Sequence, residues 1–425
     1  ACCDGVMAQM LQHPCKPHAC AVGSDDNKEN AMTDSLMKSL LHPGIVAHLD
    51  ESVAVRHHIH AHPELAYQEF STSDLVAAKL EEYGYAVHRG LGGTGVVGTL
   101  KKGNGSQRLG LRADMDALPI NEQTGLAYAS KTAGTMHACG HDGHTASLLA
   151  AAQQLAVTEF DGTLHLIFQP AEEGLGGARR MVEDGLFKLF PCDAIFAFHN
   201  MPGYPVGKFG TLPGAFMASS DTVIIKILGN GGHGSMPHIT VDAALVASYL
   251  VVALQSIVAR NVDPRQMAVV TVGCLQAGNA PNVIAETAEL RLSVRAYSPE
   301  VRAALRERIT ALAHAQAQAF GARAEVDYQW RYPALQNDPA MTEFAEQVVR
   351  DWLGEEGFMS NVQQLTGSED FSFMLEQCPG CYLIIGNGEG EAGGCMVHNP
   401  RYDFNDGVLP IAASYWIKLT ESFLR

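Results

Sequence analysis

The 425-residue sequence is short of positive charge: 29 Lys and Arg stand against 46 Asp and Glu, a formal net charge of −17 with the 18 histidines neutral. No basic cluster is longer than a pair such as Lys101-Lys102 or Arg179-Arg180. A polyanion would be repelled over most of such a surface, so no nucleic-acid partner is expected. Long apolar runs are also missing. The longest, such as residues 243–254, fall short of the roughly 20 residues a membrane-spanning helix requires, so no membrane association is expected. Cysteine is too thinly spread for a disulfide scaffold. Of ten cysteines, Cys2, Cys3, Cys15 and Cys20 crowd into a polar leader and the other six are scattered over the rest of the chain. Reduced thiols in a cytoplasmic protein are the plainer reading. Residues 1–30 lack an apolar core behind a basic N-terminal region, so no intact secretory signal is visible. The sequence starts with Ala rather than Met, which leaves both a removed signal and a natural start at Met32 open.

What is present is an ordinary globular balance, 47% hydrophobic and 18% charged, in a chain long enough to favour two domains over one. Helical spacing runs from Ile45 to Tyr83, interrupted at Pro63, with Ser71–Asp74 offering capping residues. Segments then alternate between strand-like and helical: Gly95–Leu100, Arg108–Leu111, a helix over Thr145–Ala156, Thr163–Phe168, Gly177–Glu183 and Asp193–Phe198. That alternation predicts an α/β domain around a largely parallel or mixed sheet. From Met217 a second pattern begins: strand Asp221–Leu228, helix Val241–Ala259, strands Met267–Leu275 and Val283–Val294, helix Pro299–Phe320, strand Ala322–Trp330. A β-α-β-β-α-β order is the ferredoxin-like arrangement and fits an inserted α+β domain. The α/β pattern resumes with a helix over Met341–Leu353, a strand at Cys381–Ile385 and a closing helix over Val408–Leu424. The expected organisation is a discontinuous α/β domain, 32–216 and 331–425, around an insertion at 217–330, with 1–31 as a leader.

Three apolar runs end in residues that can bind metal or move protons. Arg108–Ala113 leads into Asp114 and Asp116, Leu164–Ala171 into Glu172 and Glu173, and Asp193–Phe198 into His199. The carboxyl ends of neighbouring strands in an open α/β sheet converge on a ligand crevice. Between them, His137-Ala-Cys139-Gly-His141-Asp142-Gly-His144 adds a thiol and three imidazoles just before an apolar helix. Thiolate and imidazole suit a borderline cation such as zinc; the lesser alternative is that these histidines cap and solvate a helix start. Cys378-Pro-Gly-Cys381 lacks a second Cys pair at zinc-ribbon spacing and reads as a turn.

Six stretches carry a more specific resemblance: His60–Leu65, Leu111–Pro119, His137–His144, Gln169–Gly174, Gly231-Gly-His-Gly-Ser235 and Gly367-Ser-Glu-Asp-Phe371. In this order the sequence resembles the M20 metallopeptidase family, in the amidohydrolase branch that includes hippurate and auxin-conjugate hydrolases. The resemblance spans residue 50 or so to the C-terminus. It implies a co-catalytic pair of divalent metals, bridged by Cys139 and completed by His141, Glu173, His199 and His398. Zinc is the expected metal, with manganese or nickel as alternatives. Asp114 and Asp116 would orient ligands or the base from behind.

Adjacent Glu172 and Glu173 cannot point the same way from one backbone, so their roles should divide. The family gives the metal to the second and proton transfer to the first, which can take a proton from an attacking water and hand it to the departing amine. His57, His58, His60 and His62 would pack and orient rather than ligate. The inserted domain becomes a lid and dimerisation domain. Its His233 would donate to the developing oxyanion, within its own chain or across subunits, and Asn282 and Arg295 would hold the free carboxylate of the substrate. The implied reaction is hydrolysis of N-acyl or N-aroyl amino acids, such as hippurate-, indoleacetyl- or ochratoxin-like amides, by a homo-oligomer. A dipeptidase or aminoacylase of the same family, or a relative that only binds ligand, are the alternatives.

Overall fold

A computed structural model describes residues 40–390 and 393–425; the polar leader with its four cysteines lies outside the described residues. Two sheets organise the unit His42–Arg425. The larger has seven strands in the order Ala86–Leu91, Gly95–Lys102, Gly162–Gln169, Arg108–Asp114, Ala194–Pro202, Gly380–Gly388, Phe209–Gly210. Its four central strands, 162–169, 108–114, 194–202 and 380–388, are mutually parallel, and antiparallel strands close both edges. The sheet is therefore mixed. Its central strands are buried along almost their whole length, as expected for a sheet covered on both faces. Helix His141–Leu155 lies against strand 108–114 with helices Leu49–Ala61 and Val408–Phe423 packed on it. On the opposite face Val97, Ile167, Ile195, Ala197, Tyr382 and Ile384 join Ala178, Met181 and Leu186 in one apolar cluster.

The smaller sheet is wholly antiparallel, in the order Ala268–Ala277, Thr287–Ala296, Ser220–Leu228, Arg323–Tyr332. Together with helices Ala243–Asn261 and Pro299–Ala319 it has the expected β-α-β-β-α-β order. Burial alternates with period two: Val223, Ile225 and Ile227 are buried beneath the two helices with Leu290, Leu292 and Val294, while Thr222 and Ile224 face the other way. The helix Ala243–Asn261 is long and apolar enough to cross a membrane by length and composition alone. Its Val246, Leu250, Leu254 and Ile257 are instead buried in this core.

Two expectations are corrected. The single strand read over Val283–Val294 is broken: Val283–Ile284 pairs with Gly232–His233 in a separate two-stranded ribbon, and only Thr287–Ala296 joins the sheet. Strand Ala86–Leu91 was not anticipated, because this edge strand exposes most of its side chains and shows no apolar alternation. Gly177–Glu183 is a helix, and Cys378 lies in the bend before strand 380–388.

Leu250 is fully buried between helix and small sheet, whereas Gln255 on the same helix is exposed. Leu250→Ala is expected to cost about 2–5 kcal/mol of unfolding free energy, and Gln255→Ala no more than about 0.5 kcal/mol. Urea unfolding of the two variants followed by circular dichroism checks the contrast; equal stability would place the helix outside the core.

Candidate metal centre and active site

Four chain segments meet at the carboxyl ends of the parallel strands. Strand 108–114 ends on Asp114, with Asp116 two residues on; strand 162–169 runs into Glu172 and Glu173; and His199 lies towards the end of strand 194–202. The fourth segment is Cys139 with the start of helix 141–155. Gly140 makes that junction at φ 96°, where a Cβ would come within 2.2 Å of Asn200 Oδ1. Only glycine meets both requirements. Ala171 and His398 flank the same region with φ of 54° and 64°, a left-handed conformation that costs energy and recurs at functional sites.

Among the described residues donor atoms gather in five overlapping groups, one of them Asp114, His141 and His144, and two of the five share one sulfur. The Cys139 sulfur and ring nitrogens of His141 and His199 lie within 4.8 Å of one another, and the same limit holds for Cys139 with Glu173 and His398. Cys139 Sγ is 3.2 Å from His199 Nε2, and His398 Nε2 is 3.2 Å from Glu173 Oε1. Residues from 139 to 398 are thus brought to one place. His141 Nε2 is buried with no hydrogen-bond partner among the described residues. Buried polar atoms are rarely left open in this way, and mixed sulfur, nitrogen and oxygen donors with open valences fit a pair of divalent cations sharing the thiolate.

The surrounding hydrogen bonds fix these donors. Asp116 Oδ1 lies 3.2 Å from His141 Nδ1, and the Asp116 carboxylate accepts from the backbone N–H of Glu172 at 3.0 Å and of Glu173 at 2.9 Å. One side chain therefore holds an imidazole and both glutamates. Asp114 lies 2.6 Å from His144 Nδ1, and the other nitrogen of that ring lies 2.7 Å from Asn200 Oδ1. With both nitrogens engaged, His144 has no donor to spare for a metal.

Glu172 and Glu173 do not diverge as their adjacency suggested, since their carboxylates lie within 4.8 Å of each other and of His141. Their neighbours separate them instead. Glu173 faces Cys139 and His398, and Glu172 faces Glu369 and Asp370. Burial, reinforced by the charges of Glu369, Glu173 and Asp370, pushes the Glu172 carboxyl well above the usual range. Burial and the charges of Glu173 and Glu172 likewise push the Cys139 thiol up. Burial also holds His199 well below the ordinary imidazole range, with the His144 ring adding to the effect. Burial disfavours charge on Asp114 too, but Arg112, His141 and His144 outweigh it and hold that carboxyl well below the usual range. Arg112 is fully buried and donates to Gln169 at 2.7 Å, Asp114 at 2.7 Å, Glu369 at 2.9 Å and Asp370 at 3.3 Å. Neither Arg112 nor Asn200 stood out in the sequence, although an arginine inside an otherwise apolar strand is a signal that could have been read.

A cavity of about 610 Å³ opens over these groups and is lined by Cys139, Glu172, Glu173, His199 and His398. Arg295 lines it as well, with its Nη1 buried and unpartnered. His233 and Asn282 are exposed and lie outside the lining. They do sit together: the ribbon 232–233/283–284 joins their segments, and Gly234 N–H donates to Asn282 O at 2.8 Å. His60 is buried between Asp142 at 2.9 Å and Glu122 at 3.4 Å, a packing position as expected.

A model of peptidase family M20/M25/M40 matches residues 110–422. The chain belongs to this family. A hippurate hydrolase of Campylobacter jejuni is 46% identical over 383 residues, covering 90% of this chain and 99% of the relative. An IAA-amino acid hydrolase of Arabidopsis thaliana is 38% identical over 382 residues, covering 88% and 86%. Among solved structures, an aminohydrolase from methicillin-resistant Staphylococcus aureus superposes with a TM-score of 0.83 at 32% identity, covering 91% of this chain and all of that one. A Bacillus subtilis M20 protein described as a dinuclear metal binding peptidase superposes at 0.77 with 34% identity, covering 89% and 99%. The chain is thus an M20 hydrolase whose fold, a catalytic domain with an inserted second domain, is that of its solved relatives.

Because Asp116 holds both His141 and the two glutamates, Asp116→Ala should loosen the M20 donor set without removing a donor. Metal affinity is expected to fall about 10- to 100-fold, read by competition with a chromogenic chelator. Unchanged affinity would make Asp116 a purely structural residue.

Proposed function

We propose that the protein hydrolyses the amide bond of N-acyl or N-aroyl amino acids to a carboxylic acid and a free amino acid. The observation that carries this reading is the pair of donor groups sharing Cys139 on the floor of a cavity that also presents an unpartnered Arg295. We assign the two metal sites to Cys139, His141 and His199 on one side and to Cys139, Glu173 and His398 on the other. Zinc suits the thiolate best; manganese or nickel could serve in its place. Two divalent cations, when bound, would polarise the amide carbonyl and acidify the attacking water.

Glu172 is the base in this reading. It takes the proton of the attacking water and returns it to the amine nitrogen as the C–N bond breaks. Asp116 keeps Glu172 and Glu173 in place through their backbone N–H groups. Arg295 pairs with the free carboxylate of the amino-acid half. Met201, Met217, Leu365 and Ile384 give the cavity an apolar wall suited to the acyl group. That wall favours an acylated substrate over a dipeptide, whose free ammonium would be poorly solvated there. His233 and Asn282 would reach an active site by closure of the small sheet or from another subunit of a homo-oligomer, the setting being cytoplasmic.

Two measurements test the assignment. Chelation should abolish hydrolysis of a benzoyl amino acid, with recovery on adding metal; full activity in a metal-free sample would end the mechanism. Glu172→Gln should abolish turnover with about two metal ions per chain retained, because the amide keeps the shape but accepts no proton. Glu173→Gln should instead lose metal, and the reverse pattern would exchange the two roles. His233→Ala should lower kcat by about 10²- to 10³-fold with metal content intact. Activity regained on mixing Glu172→Gln and His233→Ala chains would show that His233 acts across subunits.

A further inference from the structure

We propose that Arg331 reads a second negative charge on the amino-acid half of the substrate, so that N-acyl derivatives of glutamate and aspartate are preferred to those of neutral amino acids. The inference rests on the amidohydrolase reading above and concerns a residue that reading does not use.

The cavity has two unlike walls. Met201, Met217, Leu365 and Ile384 all belong to the apolar cluster of the large sheet. Opposite in character is the small sheet, whose Ser220, Thr222, Arg295 and Arg331 also line the cavity. Strand 220–228 lies between strands 287–296 and 323–332, so the two arginines stand on neighbouring strands to either side of Ser220 and Thr222.

Arg331 stands two residues after Gln329, on the face that Gln329 shares with its cross-strand partner Thr222. Trp330 pairs with Asp221 and Tyr332 with Ser220, so a bulge at Arg331 ends an otherwise regular ladder. Here the bulge is pinned from beneath: the buried Asp221 carboxylate accepts the Arg331 backbone N–H at 3.0 Å. Asp221 is itself held by Arg302 at 2.6 and 2.9 Å and by the Tyr328 hydroxyl at 3.1 Å. The backbone of Arg331 is fixed while its guanidinium stays exposed and donates only to Gln329 Oε1, at 3.0 Å.

Neither Arg295 nor Arg331 has an ion-pair partner among the described residues, in a chain with 46 acidic side chains. Of the other arginines of this domain, Arg291, Arg302 and Arg323 are paired, and Arg306 and Arg308, also without an ion pair, lie outside the cavity lining. A bidentate carboxylate satisfies one guanidinium. With Arg295, half-buried and carrying an open Nη1, taken by the α-carboxylate, a second fork remains for a second carboxylate. A longer acidic side chain reaches it; glycine offers nothing to it. Arg331 thereby also offsets the repulsion that Glu172, Glu173 and Glu369 exert on a doubly anionic substrate.

The test compares N-benzoyl-L-glutamate with its neutral isostere N-benzoyl-L-glutamine on the metal-loaded enzyme. The ratio of their kcat/KM values is internal to each variant, so a changed folded fraction cancels. Wild type should favour glutamate about tenfold or more, the scale of one charge-assisted hydrogen bond, and Arg331→Gln should bring the ratio close to one. A wild-type ratio near one, or a ratio unmoved by the substitution, overturns the proposal. So does an equal loss on both substrates, which would place Arg331 on the shared α-carboxylate. Binding of the two compounds to the Glu172→Gln holoenzyme by calorimetry gives the same ratio without turnover. Absence of turnover in wild type would then count against the amidohydrolase reading, and the binding ratio alone decides on Arg331.

Discussion

Too many buried carboxylates share too little positive charge at the centre of this molecule. Asp114, Asp116, Glu172, Glu369 and Asp370 are all nearly inaccessible to water, and a thiol joins them, yet Arg112 is the guanidinium that donates among them. A buried anion is tolerated only when it is paired or held by a metal. Arg112 meets part of the demand by bridging two groups of opposite purpose: Asp114, which sets the His144 ring, and the Glu369–Asp370 pair, which faces Glu172. The remainder falls on the Cys139 thiol and the Glu172 carboxyl, whose proton affinities are driven upward by burial and by the charges around them. The same excess of negative charge that strains the protein without cations makes it receptive to them.

The two sheets divide the labour by their construction. Parallel strands end together, so the large sheet delivers its polar residues to one edge and can assemble donors distant in the chain. Antiparallel strands with one covered face offer a flat, solvated surface instead, and the small sheet uses it to present Ser220, Thr222, Arg295 and Arg331 opposite the donors. The donors and the two arginines therefore stand on separate frameworks, linked by the connections near 218 and 333 and by Tyr332, whose hydroxyl donates to Glu172 O at 2.7 Å.

Much of this was legible in the order of residues because strand-end chemistry is local. Asp114, Glu172 and His199 each follow an apolar run, and Cys139 and His141 precede a helix. His398 carries no such mark: it lies in a loop and its N–H is held by Ala138 O, so only family resemblance reached it. Arg112 and Asn200 escaped notice because their importance lies in partners far along the chain. The strand read as Val283–Val294 failed at a change of partner, with Val283–Ile284 leaving the sheet for the ribbon that carries His233. Arg331 was hidden for a related reason: its place beside the cavity depends on which strands pair, and nothing local marks it.

The placement of strand 380–388 has a consequence for how the chain matures. It sits between 194–202 and 209–210, so strand 194–202 waits as a bare edge while more than 150 residues emerge from the ribosome. In that interval the whole small sheet, 220–332, is available and closes largely on itself through contacts local to its own segment, a favourable arrangement for early folding. The nascent protein can thus complete its small sheet while the large one is half built, with one flank open to pairing with the wrong strand. His398 arrives later still. The donor set is among the last features to be completed, which makes hydrolytic competence a late event in the life of each molecule.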